Sequence, residues 1–193
     1  MKLFGLVLAL VAMCATSVNA SLVTLDDFLS SNTTGLFGTR IVSTTGTGTA
    51  SINGGVLSTT FNGGAGSVRL SYSGFSIAPS PTLQGTHIDL SNIAKAGTGV
   101  FAQLTVNGDI VGQGTVANGG VVSFDVLSSL GSVTWTSAEL LISRLNTNAG
   151  LNASASFGPL VATPEPASLL TAGLFSLVGG FAYRRRNKAK KTA

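Results

Sequence analysis

Apolar and polar positions alternate with a period of two through much of the chain. Val100, Ala102, Leu104 and Val106 share one face of an extended segment, after which Asn107-Gly108 turns the chain. Ile110 to Val116 returns, Asn118-Gly119-Gly120 turns again, and Val122, Phe124 and Val126 supply another apolar face. This is the pattern of half-buried strands, and it predicts a three-stranded meander. In "GSVRLSYSGFSI", Val68, Leu70 and Tyr72 point one way and Arg69, Ser71 and Ser73 the other. "ASINGGVLSTTF" sets Asn53-Gly54-Gly55 between two β-prone arms, where glycine supplies the positive φ of a tight hairpin turn. "SVTWTSAELLISRLN" continues the alternation and "LNASASFGPLV" reads as a last strand. "SNIAKAGTG" predicts one helical turn closed by Gly97, and "STTGTGTAS" a loop or edge. Close turn signals without a helical period before residue 167 predict an all-β fold, an antiparallel β-sandwich over residues 21–163.

The two ends follow different rules. Residues 1–20 carry one cation, Lys2, an apolar run from Leu3 to Met13, and small residues at Val18 and Ala20. Those three parts make a secretory signal peptide cut after Ala20; as a membrane span the run is too short. Cys14, the only cysteine of the chain, lies inside this signal, and Met13 stands where a lipoprotein signal wants a small residue. The mature chain therefore has no thiol for a disulfide, a nucleophile or a metal. At the other end Pro164-Glu165-Pro166 precedes an uncharged run from Ala167 to Tyr183, and Arg184, Arg185 and Arg186 open a basic tail. As a helix that run spans roughly 25 Å, short for a hydrocarbon core of about 30 Å. The arginines would stop transfer and stay cytoplasmic.

The formal charge of +4 belongs to the ends. Between Ser21 and Thr163 stand four cations (Arg40, Arg69, Lys95, Arg144) and six anions (Asp26, Asp27, Asp89, Asp109, Asp125, Glu139), a net −2. So nearly neutral a domain offers no electrostatic footprint for nucleic acid.

Marked catalytic chemistry is scarce. His87 is the only histidine, and in "THIDL" it shares a strand face with Asp89, but no serine sits in a G-x-S-x-G elbow. Glycoside hydrolysis would need two opposed carboxylates, and none of the six acids is singled out by its context. For calcium, Asp26 and Asp27 are the candidate oxygen ligands, with Asp89 or Asp125 as partners from elsewhere in the fold, but the pair fits turn or cap aspartates better. Trp135 and Tyr72 are the candidate glycan contacts, because aromatic faces pack on apolar sugar faces. Trp135 shares a face with Val133, which fits core packing better than stacking. The triplets at Asn32 and Asn152 match glycosylation acceptors. No cofactor is expected.

The order "PEPASLL", "GLFSLVGGFAY", "RRR" resembles the PEP-CTERM sorting signal of Gram-negative bacteria. The resemblance implies three segments: a signal peptide (1–20), a β-sandwich ectodomain (21–163) and a sorting signal (164–193) with helix 167–183 and basic tail 184–193. It implies transient anchoring in the inner membrane and recognition by an exosortase near Pro164, Glu165 and Pro166. Delivery to the cell surface or extracellular matrix would follow, in association with exopolysaccharide or biofilm. The opening "LVTLDDF" and the later "AELLISRL" are similar to the first and closing strands of jelly-roll carbohydrate-binding modules. The expected function is that of an exported, non-enzymatic surface or matrix protein. A lectin-like glycan-binding module is the alternative, and a glycan-active enzyme the rival from another class.

Overall fold

A computed structural model describes residues 22–30, 35–78, 86–125, 133–145 and 151–164. The signal peptide with Cys14, Asn32, Val126, Glu165, Pro166, the run 167–183 and Arg184 to Arg186 lie outside the described residues. Among the described residues no helix is long and apolar enough to cross a membrane.

Among the described residues nine strands follow one another: β1 (Val23–Asp26), β2 (Thr39–Asn53), β3 (Val56–Ser73), β4 (Thr86–Ala96), β5 (Val100–Val106), β6 (Asp109–Thr115), β7 (Val121–Asp125), β8 (Ala138–Arg144) and β9 (Ala153–Pro164). They form an antiparallel β-sandwich with the path β6-β5-β8-β3-β9-β4-β7; β2 pairs with β3, and β1 with β9. Alternation produces the core directly. Val68, Leu70, Leu104, Leu140 and Ile142 from one side meet Leu57, Phe61, Leu90, Phe124 and Phe157 from the other, all fully buried. Leu22–Thr163 forms a compact unit that contains this whole core.

The Asn53–Val56 pair closes the first hairpin across Gly54 and Gly55, whose φ angles of 58° and 84° suit a two-residue turn. Its arms are far longer than the sequence suggested, and β3 serves both layers. Leu57–Phe61 pairs with Phe157–Ala153 of β9, whereas Gly66–Tyr72 pairs with Arg144–Ala138 of β8. Between these halves the β2–β3 register slips between Gly46 and Gly48. The backbones come so close there that a Cβ on Gly66 would stand 2.6 Å from the Gly48 nitrogen. A bulge flanked by residues without side chains lets one hairpin fold over from layer to layer.

Three local expectations need correction. The meander is broken: β6 pairs with β5, but β7 pairs with β4, from His87–Asp125 to Ser91–Val121. β6 and β7 thus end opposite ends of the path and still lie together, a Cβ on Gly112 falling 3.1 Å from the Phe124 Cα. Alternation fixes which face of a strand is buried, not which strand it pairs with. The helical turn at "SNIAKAG" is instead the end of β4. Asn92 holds it extended: its Nδ2 donates to the carbonyls of Ala94 and Ser156 at 3.1 Å, and its Oδ1 accepts from Gly119 N at 3.3 Å. Finally, "AELLISRL" is not a closing strand; β8 lies between β5 and β3, and β9 comes last.

Candidate functional site

The first acid of the candidate calcium pair is committed to a buried clasp. Asp26 and Arg40 face each other with both side chains fully buried, Arg40 Nη1 donating to both carboxylate oxygens at 2.5 Å. Tyr72 Oη donates to Oδ2 at 2.9 Å and Phe28 N to Oδ1 at 2.9 Å, while Arg40 Nη2 donates to the Ser30 carbonyl. The arginine also lies over the Phe28 ring, 5.4 Å from its centroid. The Asp26 turn carries Phe28 at φ 51°, and the Phe28 carbonyl accepts from Gly55 N at 3.2 Å, tying the N-terminal segment to the hairpin tip. Asp26 is therefore a structural anion, and Asp27 spends one oxygen on Leu29 N at 3.0 Å. Among the described residues no three His, Asp or Glu side chains converge for a metal.

The candidate stacking aromatics are also turned inward. Tyr72 is 2% and Trp135 6% exposed, so neither offers a ring face to a sugar. Tyr72 packs against Phe37 with ring centroids 5.0 Å apart, and Trp135 exchanges both backbone hydrogen bonds with Ile77. Val133, its expected face-mate, is exposed.

Burial raises the Tyr72 phenol well above its ordinary value, helped by the charge and hydrogen bond of Asp26 and opposed by Arg40. The sign follows. The unfolded phenol ionises near pH 10, while the folded one keeps its proton. This contribution is whole below that pH and lost as pH rises through the folded value. Tyr72 is the only tyrosine of residues 22–163, so phenolate absorbance should appear together with unfolding, above pH ~10. A phenolate titrating near pH 10 in the folded domain would contradict the placement.

His87 and Asp89 do share a face, joined by residues the sequence could not add. Ser123 Oγ donates to Asp89 Oδ1 at 2.5 Å, Thr163 Oγ1 lies 2.7 Å from Asp89 Oδ2, and Asp125 is the cross-strand neighbour of His87. The hydroxyl meets the carboxylate directly. A nucleophilic serine would instead need an imidazole between itself and the acid, so this geometry is that of a strand-to-strand tie. Glu139, another acid, pairs with Arg69 at 3.4 Å.

What the outer surface offers in quantity is hydroxyl. Ser51, Ser58 and Ser156 stand side by side across β2, β3 and β9, and Thr49, Thr60 and Ser154 form the next row. All six are exposed or half-buried, while Leu57, Phe61, Ala153, Ala155 and Phe157 point inward beneath them. Strand spacing places neighbours in a row about 4.8 Å apart, and the rows about 6.7 Å apart. Ser58 Oγ and Ser156 Oγ are 3.3 Å apart, and Thr49 Oγ1 donates to the Thr60 carbonyl at 3.4 Å. The result is an uncharged plane of donors and acceptors. Alternation signalled only which hydroxyls face outward; the three-strand alignment depends on β9, some 100 residues away.

No family model matches the chain, and no curated protein matches it. Solved structures of similar fold include the glycoside hydrolase domain of Endo-D from Streptococcus pneumoniae (14% identity over 66% of this chain, TM-score 0.48), of which the match spans 22%. A family 29 carbohydrate-binding module matches at 14% identity over 78% of this chain and 95% of its own, TM-score 0.44. An agarase matches at 13% identity over 75% of this chain and 25% of its own, TM-score 0.46. The chain thus spans a quarter or less of either enzyme.

Proposed function

We propose that residues 21–163 are a non-catalytic surface or matrix domain that holds polysaccharide by hydrogen bonding across the hydroxyl plane. The two aligned rows on β2, β3 and β9 carry this reading: a neutral array of hydroxyls matches the hydroxyl-rich flank of a glycan chain and repels neither neutral nor anionic polymers. With Tyr72 and Trp135 buried, contact would be polar and individually weak, and affinity would come from repetition along a polymer. Three of the six acids are engaged in ties within the fold, Asp26 with Arg40, Asp89 with Ser123 and Glu139 with Arg69. The C-terminal Pro164-Glu165-Pro166, apolar run and arginine cluster support delivery by exosortase sorting to the cell surface.

Affinity electrophoresis of residues 22–163 through gels containing the native host's exopolysaccharide tests the binding. Retardation should fall at least about tenfold in apparent affinity when Thr49, Ser51 and Thr60 are all changed to alanine, a loss of about 1.4 kcal/mol. Unretarded migration of the parent domain, or equal retardation of both, would refute it; release of new reducing ends would favour the enzyme. In the surface fraction of the same host, the mature protein should end near residues 164–166 by mass spectrometry.

A further inference from the structure

We infer that β2 is a self-association edge, pairing antiparallel with β2 of a second copy of this chain. Among the described residues β2 pairs with β3 alone, so no described strand occupies its other side. Ile41 to Gly46 are six consecutive exposed residues, on both strand faces. Soluble proteins ordinarily guard such an edge with lysine, proline, a bulge or an inward charge. Here those devices only bracket the segment. Arg40 precedes it but is buried against Asp26, and the register slip between Gly46 and Gly48 follows it. From Ile41 to Asn53 there is no charge and no proline.

The occupant assigned to this edge is the same segment in a second copy, which matches it in length, carries no charge or proline and meets itself antiparallel about a two-fold axis. A two-fold axis normal to the sheet keeps paired side chains on one face only if one residue faces its own copy across the axis. With the axis midway between the two Ser43 residues, Val42 stands opposite Thr44 and Ile41 opposite Thr45. Ile41 is 63% and Val42 36% exposed, and both would gain a β-branched cross-strand neighbour. The domain's net charge of −2 opposes association little.

Residues 22–163 are the material for the test, since the unit contains its own core. Sedimentation should show a monomer–dimer equilibrium, and Ser43→Glu should raise its Kd at least tenfold. The substitution faces two carboxylates across the axis, yet within each copy it places an anion beside Arg69, the register partner of Ser43. The fragment lacks cysteine, so Ser43→Cys should give a disulfide-linked dimer under mild oxidation, while Asn53→Cys at the hairpin end should not. Opposed strand residues lie within the Cα separation a disulfide spans. Hydrogen exchange at Ile41–Gly46 should slow as concentration rises, which requires no variant. A strictly monomeric parent, a dimer indifferent to Ser43→Glu, or equal cross-linking at both cysteines would overturn the inference.

Discussion

Replacing Asp26 with alanine should cost about 3–5 kcal/mol of folding stability, read from chemical denaturation of residues 22–163. The carboxylate is the counter-charge of a fully buried guanidinium and accepts from Tyr72 and Phe28 as well. Removing it leaves Arg40 charged in the interior, and it frees the turn that seats Phe28 at positive φ. Domains of this size are stable by about 5–15 kcal/mol, so the loss is a large share of the total. The double variant Asp26→Leu with Arg40→Met should recover much of it, because apolar groups of similar volume need no counter-charge. A cost below about 1 kcal/mol for Asp26→Ala would place this acid with ordinary surface pairs instead.

Gly66→Ala should destabilise by about 2–3 kcal/mol, an overpacking cost. The added methyl would meet only backbone, with Gly48 N at 2.6 Å, Thr47 N at 2.9 Å and Thr45 O at 3.0 Å. No rotamer can relieve that contact; the two strands must separate where the hairpin folds over. Gly64→Ala two residues away is the control. Its methyl would first touch Thr47 Cγ2, a side-chain atom, at 3.4 Å, and the change should stay within about 0.5 kcal/mol. Equal effects at the two positions would mean that the corner owes nothing to close approach at Gly66.

These two sites show where sequence reasoning reaches and where it stops. Face alternation and Asn-Gly turns are local properties, so the inward positions of β3, β5 and β8 and the Gly54–Gly55 turn were legible. Pairing partners are not local. β7 read as the third strand of a meander because it follows β6, yet it hydrogen-bonds to β4. Asp26 and Asp27 read as turn or cap aspartates ahead of oxygen ligands, and each does accept from the amide two residues on. Arg40 and Tyr72, 14 and 46 residues away from Asp26, were out of reach. Asn92 reversed a helical reading through hydrogen bonds to Ser156 and Gly119. The three-strand hydroxyl rows were invisible for the same reason, since their β9 member lies some 100 residues from the hairpin that supplies the other two.

The position of β9 bears on how the chain folds as it is made. The last of the described strands to be synthesised is an interior one, flanked by β3 and β4, and β1 closes against it with Val23 opposite Ala162. Until roughly the whole domain has emerged, β1 has no partner strand and the second layer lacks its centre. Pairings between the first and last residues carry the largest loop-closure entropy and slow a fold dominated by them. In a nascent chain of this topology β2, β3, β5, β6 and β8 can pair early, whereas the layer centred on β9 stays open until that strand arrives.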